Sequence, residues 1–384
     1  MDFLLTDEQK ALKQMAREFA AKEFPKWSKQ CDKEERFPVE VMAAAAKQGL
    51  LGVKIPQEHG GPGLGMMESA LIDEELNAVD PGLALCIGAA DFGTEAIIRL
   101  GTPEQKKKYL DPIPKGEMIA GAAISEAGAG SDVAAATCAA VKDGDDYVLN
   151  GAKMWITNGT VADYFITLVA TDPENPKPHA RFSLLLVPSD IAGFKANKIH
   201  GKLGIRASDT AELEFTDARV PQSSLLGEEG KGFYYVMEFF NNTRIGVAAQ
   251  AVGIAEGALR IATEYAAQRE AFGKPIASLQ AIQFKLAEMA TRVETARMLT
   301  YKAAWYNDQG KPNPKASSMA KWWAGETAVF CANEAVQILG GMGYVDEMPA
   351  EKFYRDAKIT EIYEGTKEVH KLIIARTLFG RIKA

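Results

Sequence analysis

The strongest constraint on the fold lies in the last third of the chain. From Gly230 onward, apolar residues recur at helical spacing through three long stretches: Phe233 to Glu264, Leu279 to Asn307 and Asn313 to Leu339. Each is more than twice the usual helix length of about 11–12 residues. The second stops at Asp308-Gln-Gly310 and the third at Gly340-Gly341, both helix-ending signals. Long helices joined by short connections lie antiparallel and share one core, so residues 229–384 read as a four-helix bundle. Two shorter helices are expected on either side of Glu364.

The rest of the chain reads differently. Residues 1–118 are helical: Thr6-Asp-Glu-Gln9 is a capping box, followed by Leu12, Met15 and Phe19 on one helix face. Pro25 ends that helix, and Gly49 closes a second, Val39 to Lys47. The segment His59 to Gly65 is a tight loop, and Met66 to Asn77 is helical again. Pro81 to Leu100 reads as one apolar helix, and Thr102-Pro-Glu-Gln105 as a second capping box with Pro103 at the first helical position. Between residues 119 and 228 the period drops to two. Ala134–Val141, Tyr147–Leu149, Lys153–Thr157, Tyr164–Ala170, Arg181–Val187 and Ala211–Phe215 read as strands, with turns at Asp143-Gly144 and Asn150-Gly151. The expected fold class is α+β: an all-helical domain, an antiparallel β-barrel or sandwich, then the bundle.

Composition excludes several functions. A net charge of −7 argues against nucleic acid as the main partner. Cys31, Cys86, Cys138 and Cys331 are far apart and form no CxxC pair, so they read as reduced, buried thiols and not as a metal site. No run of about 18 apolar residues suggests a membrane span, and the N-terminus carries no secretory pattern. Cytoplasm is the default expectation.

Chemistry is expected to converge on Lys358-Ile-Thr-Glu-Ile-Tyr-Glu-Gly-Thr-Lys-Glu-Val-His370. Glu364 precedes a glycine that opens the backbone, and Thr366 is placed to cap the next helix. A carboxylate between two helices, flanked by Ile362 and Tyr363, loses solvent, and its pKa rises towards that of a working general base. Taken alone, the same string also fits an inter-helix loop with an exposed glutamate.

Two further strings stand out. In Ile124-Ser-Glu-Ala-Gly-Ala-Gly-Ser-Asp132, small residues let backbone N–H groups approach an anion such as a pyrophosphate, and Ser131 adds a hydroxyl. The pattern matches neither a dinucleotide fingerprint nor a P-loop; a surface turn is the plain alternative. In Lys153-Met-Trp-Ile-Thr-Asn-Gly159, Trp155 and Thr157 share a strand face, where Trp155 can cover a flat aromatic ligand and the Thr157 hydroxyl can donate to it. A half-buried core strand fits equally.

Together with Arg269-Glu-Ala-Phe-Gly-Lys-Pro-Ile276 plus Gln280, Gln337-Ile-Leu-Gly-Gly341, and Ile362-Tyr-Glu-Gly-Thr366, these strings resemble the acyl-CoA dehydrogenases over nearly the whole chain. Ala127 departs from the family's usual proline in the flavin loop. The resemblance implies an FAD enzyme that oxidises acyl-CoA thioesters. It also implies an electron-transfer flavoprotein as acceptor and a homotetramer in which the Arg269 segment serves a neighbouring copy. By position, it implies that Ile124, Ser125, Gly130, Ser131, Trp155 and Thr157 contact FAD. Arg269, Phe272, Gln280, Gln337, Gly341 and Thr366 would complete the cofactor site. Glu364 would take the α-proton while a β-hydride passes to the flavin, and Arg244 would steady the carboxylate. The thioester carbonyl would be polarised by the N–H of Glu364 and a flavin hydroxyl.

Asp91 is the anomaly. It interrupts the apolar run Leu83 to Gly93, where an acid is costly unless paired or functional. The pattern is similar to dehydrogenases of alicyclic acyl-CoA esters, such as cyclohexane- and cyclohexene-carboxyl-CoA, used in aromatic degradation. This implies that Asp91 acts as a second base for 1,4-elimination. Against it, that type lacks the usual glutamate, which is present here as Glu364. The other explanation is that Asp91 pairs with a buried group or caps a broken helix turn. The competing substrate is a short straight acyl-CoA such as butyryl-CoA, oxidised or reduced with Glu364 as sole base. A different class altogether, a catalytically silent assembly protein on the same fold, is told apart by flavin absorbance.

Overall fold

A computed structural model describes residues 4–380. The first part is helical: α1 (Asp7–Glu23), α2 (Ser28–Glu34), α3 (Val39–Gln48), α4 (Met66–Asn77), α5 (Pro81–Gly88), α6 (Thr94–Leu100) and α7 (Pro103–Tyr109). Both expected capping boxes form, at Thr6/Gln9 and at Thr102/Gln105. The expected single helix from Pro81 to Leu100 does not form. It breaks after Gly88, and Gly93 takes the left-handed φ of 97° that an L side chain resists. In the gap, Asp91 makes a parallel β-bridge with Ala120, and the Ala120 N–H donates to Ala90 at 2.8 Å. Asn158 holds the break open, donating to the carbonyls of Ala89 (2.7 Å) and Ala120 (3.0 Å).

The middle of the chain forms β1 (Ala120–Ala123), β2 (Ala139–Asp143), β3 (Asp146–Thr157), β4 (Tyr164–Ala170), β5 (Phe182–Pro188), β6 (Phe194–Lys198), β7 (Thr210–Pro221) and β8 (Leu225–Leu226). They make one eight-stranded sheet, ordered β6-β7-β3-β2-β4-β5-β8, with β1 beside β4. The expectation of a purely antiparallel region is corrected here, because β1 and one bridge of β2 pair parallel with β4. Strands β1 and β6 were not expected from the pattern, and the two short strands at 147–149 and 153–157 are one. Ala134 belongs to a 3-10 turn, not to a strand. β4 is buried along its whole length. Tyr164, Ile166 and Leu168 face the helices, with Ile97 and Phe239, whereas Phe165 and Val169 face a second cluster with Tyr147, Leu149 and Leu213. A strand covered on both faces needs no polar alternation.

The chain closes with α8 (Gly232–Gln268), a small hairpin of β9 (Glu270–Ala271) and β10 (Lys274–Pro275), α9 (Gln280–Asp308), α10 (Pro314–Leu339), α11 (Ala350–Ala357) and α12 (Lys367–Phe379). The three long helices pack around an alanine-rich core that includes Ala251, Ala255, Ala296, Ala324 and Ala328. Small side chains let the backbones approach closely. α12 lies against α10, and α4 packs on α8 and α9, joining the two helical parts. Among the described residues, α8 alone is long and apolar enough to cross a bilayer, but most of that stretch is buried inside the bundle. All four cysteines are buried and free.

Candidate active site

A cavity open to solvent lies where the three parts meet. Lys54, Asp73, Asp91 and Glu95 line it from the N-terminal part, Thr157 from the end of β3, Thr243 and Gln250 from α8, and Glu364 from the loop before α12. Of the residues singled out in sequence, the structure therefore brings Glu364, Asp91 and Thr157 into one chamber.

Glu364 is half-buried, and what it faces is this cavity. Burial raises its pKa; the Thr243 hydroxyl, Lys321 and Arg244 work in the opposite direction. Thr243 donates to its Oε2. The backbone is unusual: Glu364 itself has φ 54° and Gly365 φ 91°. A non-glycine residue in the left-handed region costs of order 1 kcal/mol or more, and such strain gathers at functional sites. The N–H of Glu364 has no hydrogen-bond partner among the described residues. Two details differ from expectation. Ile362 is 49% exposed, so it does not strip water from the carboxylate. Thr366 occupies the cap position of α12, yet its hydroxyl makes no capping bond to that helix.

Arg244 is buried on α8 and bonds Asn241 Oδ1 at 3.0 Å; its charge reaches Glu364 through space, without a direct bond. Thr243, its neighbour, makes the direct contact that sequence reasoning did not assign. It directly precedes Arg244 in the chain, and that adjacency is the one sequence signal that points to it.

Across the cavity, Lys54 pairs with Glu95. Burial raises Asp91 to about 6, partly opposed by Lys54, and raises Asp73 to about 7. Asp91 is 8% exposed and, among the described residues, no other side chain bonds its carboxylate, although Thr94 bonds its main-chain carbonyl at 2.9 Å.

The two strings expected to hold a flavin are tied together. The Met154 N–H donates to Ser125 O at 2.9 Å. Lys153, fully buried, donates to Ile124 O (3.1 Å) and to Glu126 (2.9 Å), and Glu126 also accepts from the N–H groups of Thr137 and Cys138. This brace holds the backbone of Ile124 and Ser125. Gly130 and Ser131 lie exposed beyond it. A Cβ on Gly128 or Gly130 would meet nothing within 4 Å, and neither residue has a positive φ. Internal packing therefore does not require glycine there, whereas close approach of a ligand does. Trp155 sits in a bulge at φ 65°, with its ring 64% exposed, and Thr157 lies two residues on. An uncovered aromatic plane beside a small-residue loop, leading into the cavity through Thr157, fits a flavin.

Arg269, Phe272, Gln280, Gln337 and Gly341 do not line this chamber. All are exposed; Phe272, at the tip of the β9–β10 hairpin, is 91% exposed with φ 55°.

Three family models match in order: "Acyl-CoA dehydrogenase, N-terminal domain" over residues 6–117, the middle domain over 121–218 and the C-terminal domain over 230–379. The "Acryloyl-CoA reductase (NADH)" of Anaerotignum propionicum is 44% identical, over 99% of this chain and 97% of its own. The butyryl-CoA dehydrogenase structure from Megasphaera elsdenii superimposes with a TM-score of 0.95 at 39% identity, over 99% of this chain and 100% of that one. A chain from the structure described as "Electron transferring flavoprotein of Acidaminococcus fermentans: Towards a mechanism of flavin-based electron bifurcation" gives 0.96 at 42% identity, over 99% and 100%. With a cavity lined by Glu364, the braced loop and matches along nearly its full length, the chain belongs to the acyl-CoA dehydrogenase family, FAD-dependent oxidoreductases acting on CH–CH bonds.

Proposed function

We propose that this acyl-CoA dehydrogenase acts on short straight-chain acyl-CoA thioesters of the butyryl type, with Glu364 as the base. The observation that carries the reading is Glu364 itself, a strained carboxylate with a burial-raised pKa that faces the cavity beside Thr157. Ionised, it accepts the α-proton of the thioester. Its unpartnered N–H is a donor for the thioester carbonyl, which lowers the cost of negative charge developing there. A bound FAD would supply the acceptor for the β-hydride. Ile124, Ser125, Gly130, Ser131, Trp155 and Thr157 would hold the flavin, and Arg244 would steady the base. The exposure of Arg269, Phe272 and Gln280 supports their serving the cofactor of a neighbouring copy in a homotetramer. The butyryl-CoA dehydrogenase neighbour supports the short chain, and the flavoprotein structure supports an electron-transfer flavoprotein as acceptor. The acryloyl-CoA reductase supports the reductive direction as a variant of the same chemistry.

The relatives reverse the order in which sequence reasoning placed the substrates. One observation keeps the cyclic acyl-CoA as a second reading: Asp91 shares the chamber with Glu364, and among the described residues no other side chain bonds its carboxylate. Anaerobic titration of the flavin absorbance with butyryl-CoA and with cyclohexene-carboxyl-CoA separates them. Bleaching by butyryl-CoA, lost in Glu364→Gln and kept in Asp91→Asn, is the expected result. Bleaching only by the cyclic ester, lost in Asp91→Asn, would replace the first reading with the second.

A further inference from the structure

Behind the base lies a charged group that the chemistry above does not use. Lys321, on α10, is 1% exposed, yet among the described residues no carboxylate stands within 4.0 Å of its ammonium. Its one bond runs to the carbonyl of Gly365, at 2.6 Å. An ammonium buried with only a carbonyl for company is a costly choice, since burial penalises its charge heavily. The same carbonyl takes a second donor. His370 Nε2 lies 2.9 Å from it, and His370 Nδ1 has no partner. That pattern fixes the neutral tautomer with the proton on Nε2, because only a protonated Nε2 can bond a carbonyl. Two donors from two helices thus grip one carbonyl, in the residue just after the base, where the backbone is left-handed at both Glu364 and Gly365.

The charges around Lys321 can be sorted by element. From α8 comes Arg244; from the 3-10 turn before the base, Glu361; from the base loop, Glu364; from α12, Glu368 and the neutral His370. Glu361 is already held by Lys358 and by Lys367. Glu368 is exposed at the start of α12. The carboxylate left to answer Lys321 is Glu364. Its attraction is the largest influence opposing the burial that brings Lys321 down to about 7, and Lys321 in turn is the largest charge favouring ionised Glu364.

We propose that Lys321 is the positioning residue for the catalytic base, its ammonium pinning the Gly365 carbonyl so that the 364–365 turn stays left-handed while its charge keeps Glu364 ionised. This rests on Glu364 being the base. His370 supplies the second, uncharged half of the grip. The two roles separate by substitution. Lys321→Gln keeps a donor and loses the charge; Lys321→Met loses both; Lys321→Arg keeps the charge in a bulkier form; His370→Gln disturbs the grip without touching charge.

The test is the pH profile of flavin reduction by butyryl-CoA in stopped flow, on FAD-loaded enzyme, for these four variants and Glu364→Gln. Flavin content and melting temperature are measured on the same preparations. In Lys321→Gln and Lys321→Met the acid limb moves to higher pH by about one unit, the shift expected on losing a neighbouring opposite charge. Either neutral variant suffices if the other does not fold. Lys321→Arg keeps the wild-type limb even if its rate falls. His370→Gln lowers the rate at every pH and leaves the limb in place. A uniform loss of rate in both neutral variants with an unmoved limb would overturn the proposal and leave Lys321 a packing residue. So would an equal shift in Lys321→Arg. A Glu364→Gln enzyme that still reduces its flavin at the wild-type rate would sink the assignment of the base instead.

Discussion

Replacing Asp91 by Asn tests whether its carboxylate is an uncompensated burden of the fold. Its pKa stands at about 6 against 3.8 for an unhindered aspartate, and burial is the main cause. The shift is upward for an acid, so the folded state disfavours the ionised form. The penalty is absent below pH 3.8, grows as pH rises from there to about 6, and is constant above. At full size it is 2.2 units at 1.36 kcal/mol each, or about 3 kcal/mol. At pH 5 the same linkage gives about 1.6 kcal/mol, because the group is still mostly protonated in the fold. Asn keeps the shape and removes the charge, so Asp91→Asn should be more stable than wild type at both pH values, and more so at pH 8. Scaled by the unfolding entropy of a chain this long, the melting temperature should rise by roughly 3–4 °C at pH 8 and roughly 2 °C at pH 5. Differential scanning fluorimetry on holoenzyme at the two pH values measures this. A variant that melts lower than wild type at pH 8, or whose gain does not depend on pH, would refute the reasoning. It would show that a partner compensates Asp91. A stability gain joined to lost turnover would instead mark Asp91 as a group kept for chemistry.

Three other perturbations act on separate parts of the site. Thr243→Val removes the hydroxyl that favours ionised Glu364; the acid limb of the kcat/KM profile should move to higher pH, and an unmoved limb would mean that water replaces the donor. Lys153→Met removes the cation from Glu126 inside the flavin-loop brace and leaves it only the hydrogen bonds from Thr137 and Cys138, a loss of up to about 3–5 kcal/mol; purified protein should lose bound FAD and melt lower, and full flavin retention would count against the brace. Gly365→Ala forces a Cβ to 3.2 Å from the His370 ring at φ 91°; kcat should fall at least tenfold with butyryl-CoA affinity nearly kept, while wild-type turnover would show that the turn tolerates reshaping.

The fold was legible wherever local pattern and global burial agree. The capping boxes at Thr6 and Thr102 and the three long helices formed as read, because each is decided within a few residues. Pro81–Leu100 failed for a different reason. Its apolar run reads as helix, but the backbone of Ala90 and Asp91 is claimed by β1, some thirty residues away, and the carbonyl of Ala89 by Asn158, further still. Gly88, Asp91 and Gly93 are the local signs of a break, and in an apolar run they do not outweigh the periodicity. β1 is missed for the converse reason. Ala120-Gly-Ala-Ala123 has almost no strand preference, and β4, which pairs with all four residues, makes it a strand.

The same division explains the site. Glu364, Trp155 and the glycines of the 128–130 loop stand out in sequence because each sits in a string with its own local signal: the glycine after Glu364, the small residues in the loop. The groups that tune the base are not readable that way. Thr243 bonds Glu364 across 121 positions and Lys321 bonds Gly365 across 44. Lys54, Asp73, Asp91 and Glu95 meet only because α4, α5 and α6 fold over one chamber. No spacing rule links such residues, since what joins them is the burial that the whole fold creates. That burial raises Glu364 and Asp91 and brings Lys321 down. A lysine in an alanine-rich helix looks in sequence like a solvated surface residue; once α10 is packed against the 364–365 turn, it is the charge that most favours an ionised base. The position of Glu364 is thus local information, while the surroundings that set its pKa are a property of the assembled core.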